Sequence, residues 1–371
     1  MIMRLRKHKI QLACFVFVAA ASILNVLLVR WSILKENSIA LDSISSFSTI
    51  EANDKHHMNA IPNSKDADGP DADPSARNTV RVPKTTAATT DFINTLRVIP
   101  YMESPKERDY IRQIHALPPV STSPEKKSVI SFSLYGNNPK YVQGAIENAK
   151  LRDTYFPGWT LRYYVLPSFP AEKIKELKEL GAEVEHPPDE LSDETSGMFW
   201  RFLAADDPQV ERFIFRDTDS RLNARDRFAI EEWIKSGKPC HVIRDHPYHY
   251  LIMNGGLWGG NRGFLKNNTM IDLIRDFKKN KKCRHVWGCD NKFLEYDLWP
   301  LIKDDQISYD SYYCKSNPNS VAFPTPRDPN YQFVGQAFDG DGNSIKEHLE
   351  KLKKEAVVAE CSGSTENDAL K

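Results

Sequence analysis

The chain lacks an excess of charge of either sign. Of its 371 residues, 50 are Lys or Arg and 50 are Asp or Glu. That balance excludes a nucleic-acid binder working through net positive charge. Together with 11% aromatic residues, it also excludes a wholly disordered chain. Cysteine is scarce: six residues cannot make a disulfide scaffold at this length. No short Cys-x-x-Cys hook occurs, so the cluster Cys283, His285, Cys289 does not read as a zinc site. No internal repeat of fixed period is visible. Long apolar runs are missing too, with one exception at the start.

That exception is IQLACFVFVAAASILNVLLV, residues 10–29, which no charge interrupts. A run of this length spans a bilayer core. Arg4, Arg6, Lys7 and Lys9 precede it, which predicts a cytoplasmic tail over 1–9 and a signal anchor over 10–29. Ala19-Ala20-Ala21 offers the small residues of a cleaved signal peptide. The apolar run continues through Leu27, Leu28 and Val29, which favours the uncleaved anchor. Either reading sends the rest into the secretory route, where disulfides persist. The sequon at Asn267 agrees with that route. Residues 30–125 are rich in Asp, Ser, Thr, Ala and Pro and lack periodicity, which predicts a flexible stem. The segment RDYIRQIHAL, ending at Leu117, reads as a short amphipathic helix near its end.

The texture changes at Lys127, and 126–340 read as the folded domain. SVISFSLYG predicts a first core strand, and 139–151 a helix. TLRYYVL predicts a second strand, AEKIKELKELG a helix and AEVEHPP a short third strand. Residues 196–207 read as a helix. Phe213-Ile214-Phe215 is a strand, 224–238 a helix and Cys240–Arg244 another strand. Alternating strands and helices predict an α/β domain with a mainly parallel sheet flanked by helices. Residues 341–371 read as a C-terminal helix and tail.

Asp217-Thr218-Asp219 follows directly on the strand at 213–215. Ligand sites of open α/β sheets lie beyond the carboxyl ends of strands. Two carboxylates one residue apart there suit Mg²⁺ or Mn²⁺, which favour carboxylate and phosphate oxygens. Arg216 and Arg221 flank the triplet and are candidates to face phosphates. The same acids would also serve as helix caps or as partners of Arg221 and Arg225. An Asp-first phosphatase places acids after a core strand as well, but Arg221 stands where that pattern has Thr or Val. Three more segments concentrate polar groups. Arg244-Asp245-His246-Pro247-Tyr248-His249 follows a strand. Asn254-Gly255-Gly256-Leu257-Trp258-Gly259 lets backbone approach a ligand closely, or forms a Gly-rich turn. Gly288-Cys289-Asp290-Asn291 precedes a helix.

The stretch FIFRDTDSRLNARDRFAIEEWIKSGKPCHVIRDHPYHYLIMNGGLWGGN, 213–261, resembles the donor-binding core of nucleotide-sugar glycosyltransferases of the GT-A fold. The resemblance extends over roughly 127–340. It implies a Rossmann-type sheet, with a divalent metal on Asp217 and Asp219 holding the diphosphate of a UDP- or GDP-sugar. It implies donor or acceptor contacts from Asp245, His246, Asn254, Gly255, Gly256 and Trp258. It also implies Asp290 as the carboxylate near the reacting carbon, with Asp245 as a second catalytic candidate. Anchor and stem resemble those of a Golgi type II membrane enzyme acting on a glycan or glycoconjugate. The Asn-Gly-Gly and Gly-x-Asp elements resemble those of retaining members. Related enzymes often add a late His to the metal. Around Ile307–Tyr312 this chain has Tyr309, with Asp310 as the only substitute. That departure keeps open a non-catalytic carbohydrate- or nucleotide-sugar-binding protein.

Asp339, Asp341, Asn343 and Glu350 fall at calcium-loop positions, but Ser344 stands where the loop needs Gly. A surface turn before the helix SIKEHLEKLKKE is the better reading. Trp200, Trp258, Trp287 and Trp299 are candidates to stack on sugar rings. Five cysteines follow the anchor, so at least one is free or intermolecular.

Overall fold

The computed structural model describes residues 104–118, 125–280, 288–317, 319–327, 330–355 and 361. All belong to one compact unit within Pro83–Lys371. The anchor at 10–29, its tail and the stem up to 103 lie outside the described residues, as do Cys283, His285 and Trp287. Among the described residues no helix is long and apolar enough to cross a membrane.

An eight-stranded sheet carries the domain. The strands are β1 (Lys127–Ser133), β2 (Thr160–Tyr164), β3 (Glu183–Glu185), β4 (Val210–Phe215), β5 (Cys240–Arg244), β6 (Trp258–Asn261), β7 (Gln306–Asp310) and β8 (Ser320–Val321). Their order is β3-β2-β1-β4-β6-β5-β7-β8. Every pairing is parallel except the two made by β6, which runs antiparallel to β4 and β5. The sequence pattern predicts β1 to β5, leaves β7 and β8 unassigned, and reads 254–259 as a ligand-facing turn. The last two residues of that stretch, Trp258 and Gly259, open β6.

The strands are buried on both faces, which is why they read as apolar runs rather than alternating ones. In β1 every residue after Lys127 is buried. Ile130 and Phe132 join a core with Ile146 and Trp233 on one face. Val129 joins Phe202, Phe213 and Trp258 on the other. The helices are α1 (Pro105–His115), α2 (Pro139–Tyr155), α3 (Ala171–Glu179), α4 (Ala224–Ser236) and α5 (Met270–Lys279). Shorter α6 (Cys289–Phe293) and α7 (Trp299–Ile302) follow, and α8 (Lys346–Lys354) is last. Their starts are written in the sequence. Asn138, Asn223 and Thr269 each accept a backbone N–H in the first turn of α2, α4 and α5, satisfying a donor that the helix cannot. Gly237, at φ +67°, ends α4.

One predicted helix takes another form. Glu194–Asp206 is a 13-residue 3-10 segment, long for that geometry. Two serines of β1 account for it at Arg201. Ser131 Oγ donates to the Arg201 carbonyl at 2.8 Å, and the Arg201 N–H donates to Ser133 Oγ at 2.9 Å. The backbone there is tied to side chains of the sheet.

Cys314 and Cys361 form a disulfide, and Cys289 is also disulfide-bonded. Cys240 is free and buried.

Candidate functional site

The strand order reverses between β1 and β4, and ligand crevices form where it does. A cavity of about 250 Å³ lies there. Ser133 and Tyr135 reach it from the end of β1, and Asp217, Thr218 and Asp219 from the end of β4. Tyr141 of α2 and Met198 and Arg201 of the 3-10 segment form further wall. Asn254, Gly255 and Gly256 before β6 and Asp290 and Asn291 of α6 complete most of the rest. The structure therefore brings together six residues that the sequence singles out: Asp217, Asp219, Asn254, Gly255, Gly256 and Asp290.

The two glycines sit where carboxylates press on the backbone. A Cβ on Gly255 would lie 2.1 Å from Asp290 Oδ2, and one on Gly256 would lie 2.2 Å from Asp217 Oδ2. They make room for this chain's own acids. Asn291 Oδ1 fixes the turn by accepting from Gly255 N at 2.9 Å. The Asn254 side-chain nitrogen is buried in the cavity wall and has no hydrogen-bond partner. An orphaned donor at that place is a free valence for a ligand oxygen.

Two cations sit among the acids. Arg201, buried, bridges Asp217 and Asp290, with Nη2 3.1 Å from Asp290 Oδ2. Lys140 Nζ lies 2.6 Å from Asp219 Oδ2. Burial pushes the Asp290 carboxyl up, and the charge of Asp217 adds to this against Arg201. Burial and Asp217 also push Asp219 up, against Lys140. Burial works against the Lys140 ammonium, but Asp219 holds its pKa above the ordinary lysine value.

Four predicted contacts stand elsewhere, for physical reasons. Arg216 is buried on the far side of the strand exit, where its guanidinium grips both oxygens of Asp226 at 2.8 and 2.6 Å. Arg221 is also buried, with its guanidinium 4.7 Å from the Phe338 ring centroid and Nη1 donating to the Ser220 carbonyl. Trp258 is fully buried in β6 and packs on Phe202, Phe213 and Phe215, so no sugar ring reaches it. Trp200 is fully buried and donates to the Leu191 carbonyl.

Asp245 and His246 lie behind the cavity wall. Asp245 is fully buried and accepts from Arg225, Arg327, Ser311 Oγ and the Val334 N–H. Burial opposes its ionisation, but Arg225 and Arg327 win and hold its pKa far below the carboxylate range. A carboxylate held this firmly moves no proton at neutral pH. His246 Nδ1 accepts from Tyr248 N at 3.0 Å, so Nε2 donates to the His348 carbonyl at 2.9 Å. Burial holds this imidazole down to about 4. The residue that reaches the cavity from this loop is His249. Its Nδ1 accepts from Asp245 N at 3.2 Å, which leaves the proton on Nε2. Burial holds its pKa down to about 3, so it presents a neutral N–H rather than a metal-ligating nitrogen.

Tyr309 is buried in β7, and Asp310 is fully buried against Arg244, with Arg244 Nε 2.6 Å from Asp310 Oδ2. Neither lines the cavity. Among the described residues no cluster of three His, Cys, Asp or Glu side chains forms a metal site. Asp217 and Asp219 nevertheless fit Mg²⁺ or Mn²⁺. Both are hard oxygen donors at the cavity, and such ions commonly take only one or two carboxylates, completing their shell with water and phosphate. Asn267 is exposed between β6 and α5. Asp339 accepts backbone N–H groups of Asp341 and Asn343 in a surface turn before α8.

Sequence reasoning misses Arg201, Lys140, His249, Tyr135 and Tyr141. Arg201 had one signal, a lone cation inside an otherwise apolar helical stretch.

No protein-family model matches the chain, and no curated protein matches it. Among solved structures, it is similar to the glycosyltransferase GlyE of Streptococcus pneumoniae TIGR4 at 15% identity, over 51% of this chain and 47% of that one, with TM-score 0.37. The chain thus spans about half the length of GlyE. It is similar to the Mn/GDP form of core-mannan synthase A from Aspergillus fumigatus at 8% identity, over 65% and 87%, with TM-score 0.34. It is similar to an active-site mutant of LgtC at 14% identity, over 62% and 98%, with TM-score 0.33.

Proposed function

We propose that the chain is a glycosyltransferase. It transfers a sugar from a nucleotide-diphospho-sugar, a UDP- or GDP-sugar, to a hydroxyl of a glycan or glycoconjugate. One observation carries this reading: an Asp-x-Asp pair beyond the end of β4 converges with Asn254-Gly255-Gly256 and Asp290 in one cavity at the reversal of strand order. Asp217 and Asp219 would hold Mn²⁺ or Mg²⁺. When bound, the ion supplies positive charge that stabilises a departing diphosphate.

The chain's own residues do the rest. The Asn254 side-chain nitrogen and the neutral His249 N–H offer hydrogen bonds to donor oxygens. Arg201 fixes the Asp290 carboxylate at the cavity floor. Asp290 faces the space where the anomeric carbon would sit, and retention of configuration is the proposed outcome. Tyr135 and Tyr141 offer apolar wall beside the acids. Asp245 supports the wall from behind and takes no part in proton transfer.

The disulfide Cys314–Cys361 supports an oxidising compartment. With the apolar run at 10–29, it supports a single-pass Golgi membrane protein whose folded domain is lumenal and whose Asn267 is glycosylated. Among the described residues no third side-chain ligand joins Asp217 and Asp219, which supports a second reading: a carbohydrate- or nucleotide-sugar-binding protein without turnover.

The test follows the thermal stability of the full chain with UDP, GDP, CMP and their sugars, with and without Mn²⁺. A ligand that binds only the folded state raises apparent stability. The reading expects a shift with one diphosphonucleotide that needs Mn²⁺ and is lost in Asp217→Ala. Absence of any shift from a folded chain refutes it. A shift without release of nucleotide across an acceptor screen favours the non-catalytic protein.

A further inference from the structure

The acidic loop is held by cations belonging to this chain. Three carboxylates, Asp217, Asp219 and Asp290, face two basic groups, Arg201 and Lys140. One net negative charge remains. A bare cluster of this kind repels a diphosphate, and one loaded with a divalent ion attracts it.

The two basic groups are not equivalent. Arg201 has partners to spare. Besides Asp217 it holds Asp290, and it donates to the carbonyls of Met198 and Arg216. It is buried, and these partners would hold it in place with Asp217 turned toward a metal. Lys140 has one carboxylate, Asp219, and lies 5.2 Å from the Tyr141 ring centroid. Its ammonium therefore sits between two groups that line the cavity. The side chain is 29% exposed and has room to move. With a divalent ion held by Asp219, the ammonium would be left beside the cavity wall without its partner.

We propose that Lys140 is a resident counter-ion that passes from Asp219 to the diphosphate of the donor when the metal loads. Arg201 is the fixed counter-ion that stays with Asp290. Lys140 thus competes with the metal for Asp219 in the empty site and binds the substrate phosphate in the loaded one. This rests on the glycosyltransferase reading above.

The competing roles give opposite signs to two affinities. The experiment measures binding of Mn²⁺ alone, and of inorganic pyrophosphate with and without Mn²⁺, to the full chain by titration calorimetry. Lys140→Met should bind Mn²⁺ alone about threefold to tenfold more tightly, because the competitor is gone. It should bind pyrophosphate about tenfold or more weakly in the presence of Mn²⁺, the loss of one charge-assisted contact. Lys140→Arg should restore most of the pyrophosphate affinity. If Lys140→Met weakens Mn²⁺ as well as pyrophosphate, the lysine merely holds Asp219 in place and the proposal is overturned. Unchanged pyrophosphate affinity overturns it too. If the wild-type chain binds no Mn²⁺, the metal reading of the site fails instead. The hand-over then has no trigger and falls with it, whereas Mn²⁺ binding by the wild type with unchanged pyrophosphate affinity in Lys140→Met ends the counter-ion role alone.

Discussion

Replacing Gly256 by alanine puts a methyl group against Asp217. The new Cβ would lie 2.2 Å from Oδ2, 2.6 Å from Cγ and 2.9 Å from the backbone nitrogen of that residue. Ordinary contacts of this type need about 3.4 Å, so the carboxylate must retreat by about 1 Å, and crowding of this kind costs about 1–3 kcal/mol. The Asp217 side chain is 48% exposed and has somewhere to go. The carboxylate can turn away, but the Asp217 backbone nitrogen at 2.9 Å must shift as well, so the fold yields a little and the metal geometry more. A displacement of about 1 Å is enough to cost roughly 100-fold in a positioned site. The expected result for Gly256→Ala is Mn²⁺-dependent nucleotide binding or turnover down by about two orders of magnitude. The melting temperature should fall by no more than about 10 °C, at about 2–4 °C per kcal/mol. Gly255→Ala is the control. Its Cβ would meet Asp290 Oδ2 at 2.1 Å, but that side chain is only 7% exposed and is held by Arg201. With no room to yield, Gly255→Ala should be the more destabilising of the two. Calorimetric Mn²⁺ titration and thermal melts of both variants decide the matter. If Gly256→Ala keeps wild-type metal affinity, or melts as low as Gly255→Ala, the glycines do not position the acids.

Further outcomes follow from the buried ionic groups and the disulfide. Asp245→Ala leaves the Arg225 and Arg327 guanidinium groups without their shared carboxylate. It should cost about 3–5 kcal/mol in chemical denaturation, and any kcat that survives should keep its pH profile. Burial holds His246 and His249 down to about 4 and about 3. Above the ordinary imidazole value of about 6.5, both folded and unfolded forms are neutral. As pH falls below it, the unfolded chain takes up protons that the fold refuses, so each histidine should cost about 2 kcal/mol of stability between about pH 7 and about pH 5. Denaturation at both pH values measures this, and His249→Gln should flatten the dependence. Cys314→Ser opens a loop of 47 residues. It should cost up to about 4 kcal/mol in the chain-entropy account, read as a fall in melting temperature smaller than that of the reduced wild type, which also loses the Cys289 disulfide.

Much of the scaffold is legible along the chain because both faces of the sheet are covered. Apolar runs mark β1, β2 and β4, and Cys240–Arg244 is β5 over the same residues that the pattern predicts. The Asp-x-Asp pair is legible because it stands where a strand ends. What surrounds it is not. Neighbouring residues leave a strand on opposite sides, so Arg216 goes to Asp226 while Asp217 goes to the cavity. Sequence adjacency cannot tell them apart. Lys140 and Arg201 arrive from segments far from the motif, and only the sheet brings them to it. His249, three residues after the histidine that the pattern favours, is the one that reaches the cavity, because His246 is tied to the His348 carbonyl. Gly255 and Gly256 are flagged for closeness to a ligand, but what presses on them is this chain's own Asp290 and Asp217.

The loop that holds the acids depends on residues far along the chain. The Phe338 N–H donates to the Asp219 carbonyl at 2.8 Å, and Ser220 pairs with Ala337. Gly335, just before, lines the cavity. Farther on, Cys361 closes onto Cys314. During synthesis the acidic loop therefore emerges long before its clasp does. A nascent chain can complete its central strands while the acids still lack their last backbone partner. The finished site is therefore a late event that waits on the arrival of residues 335–338.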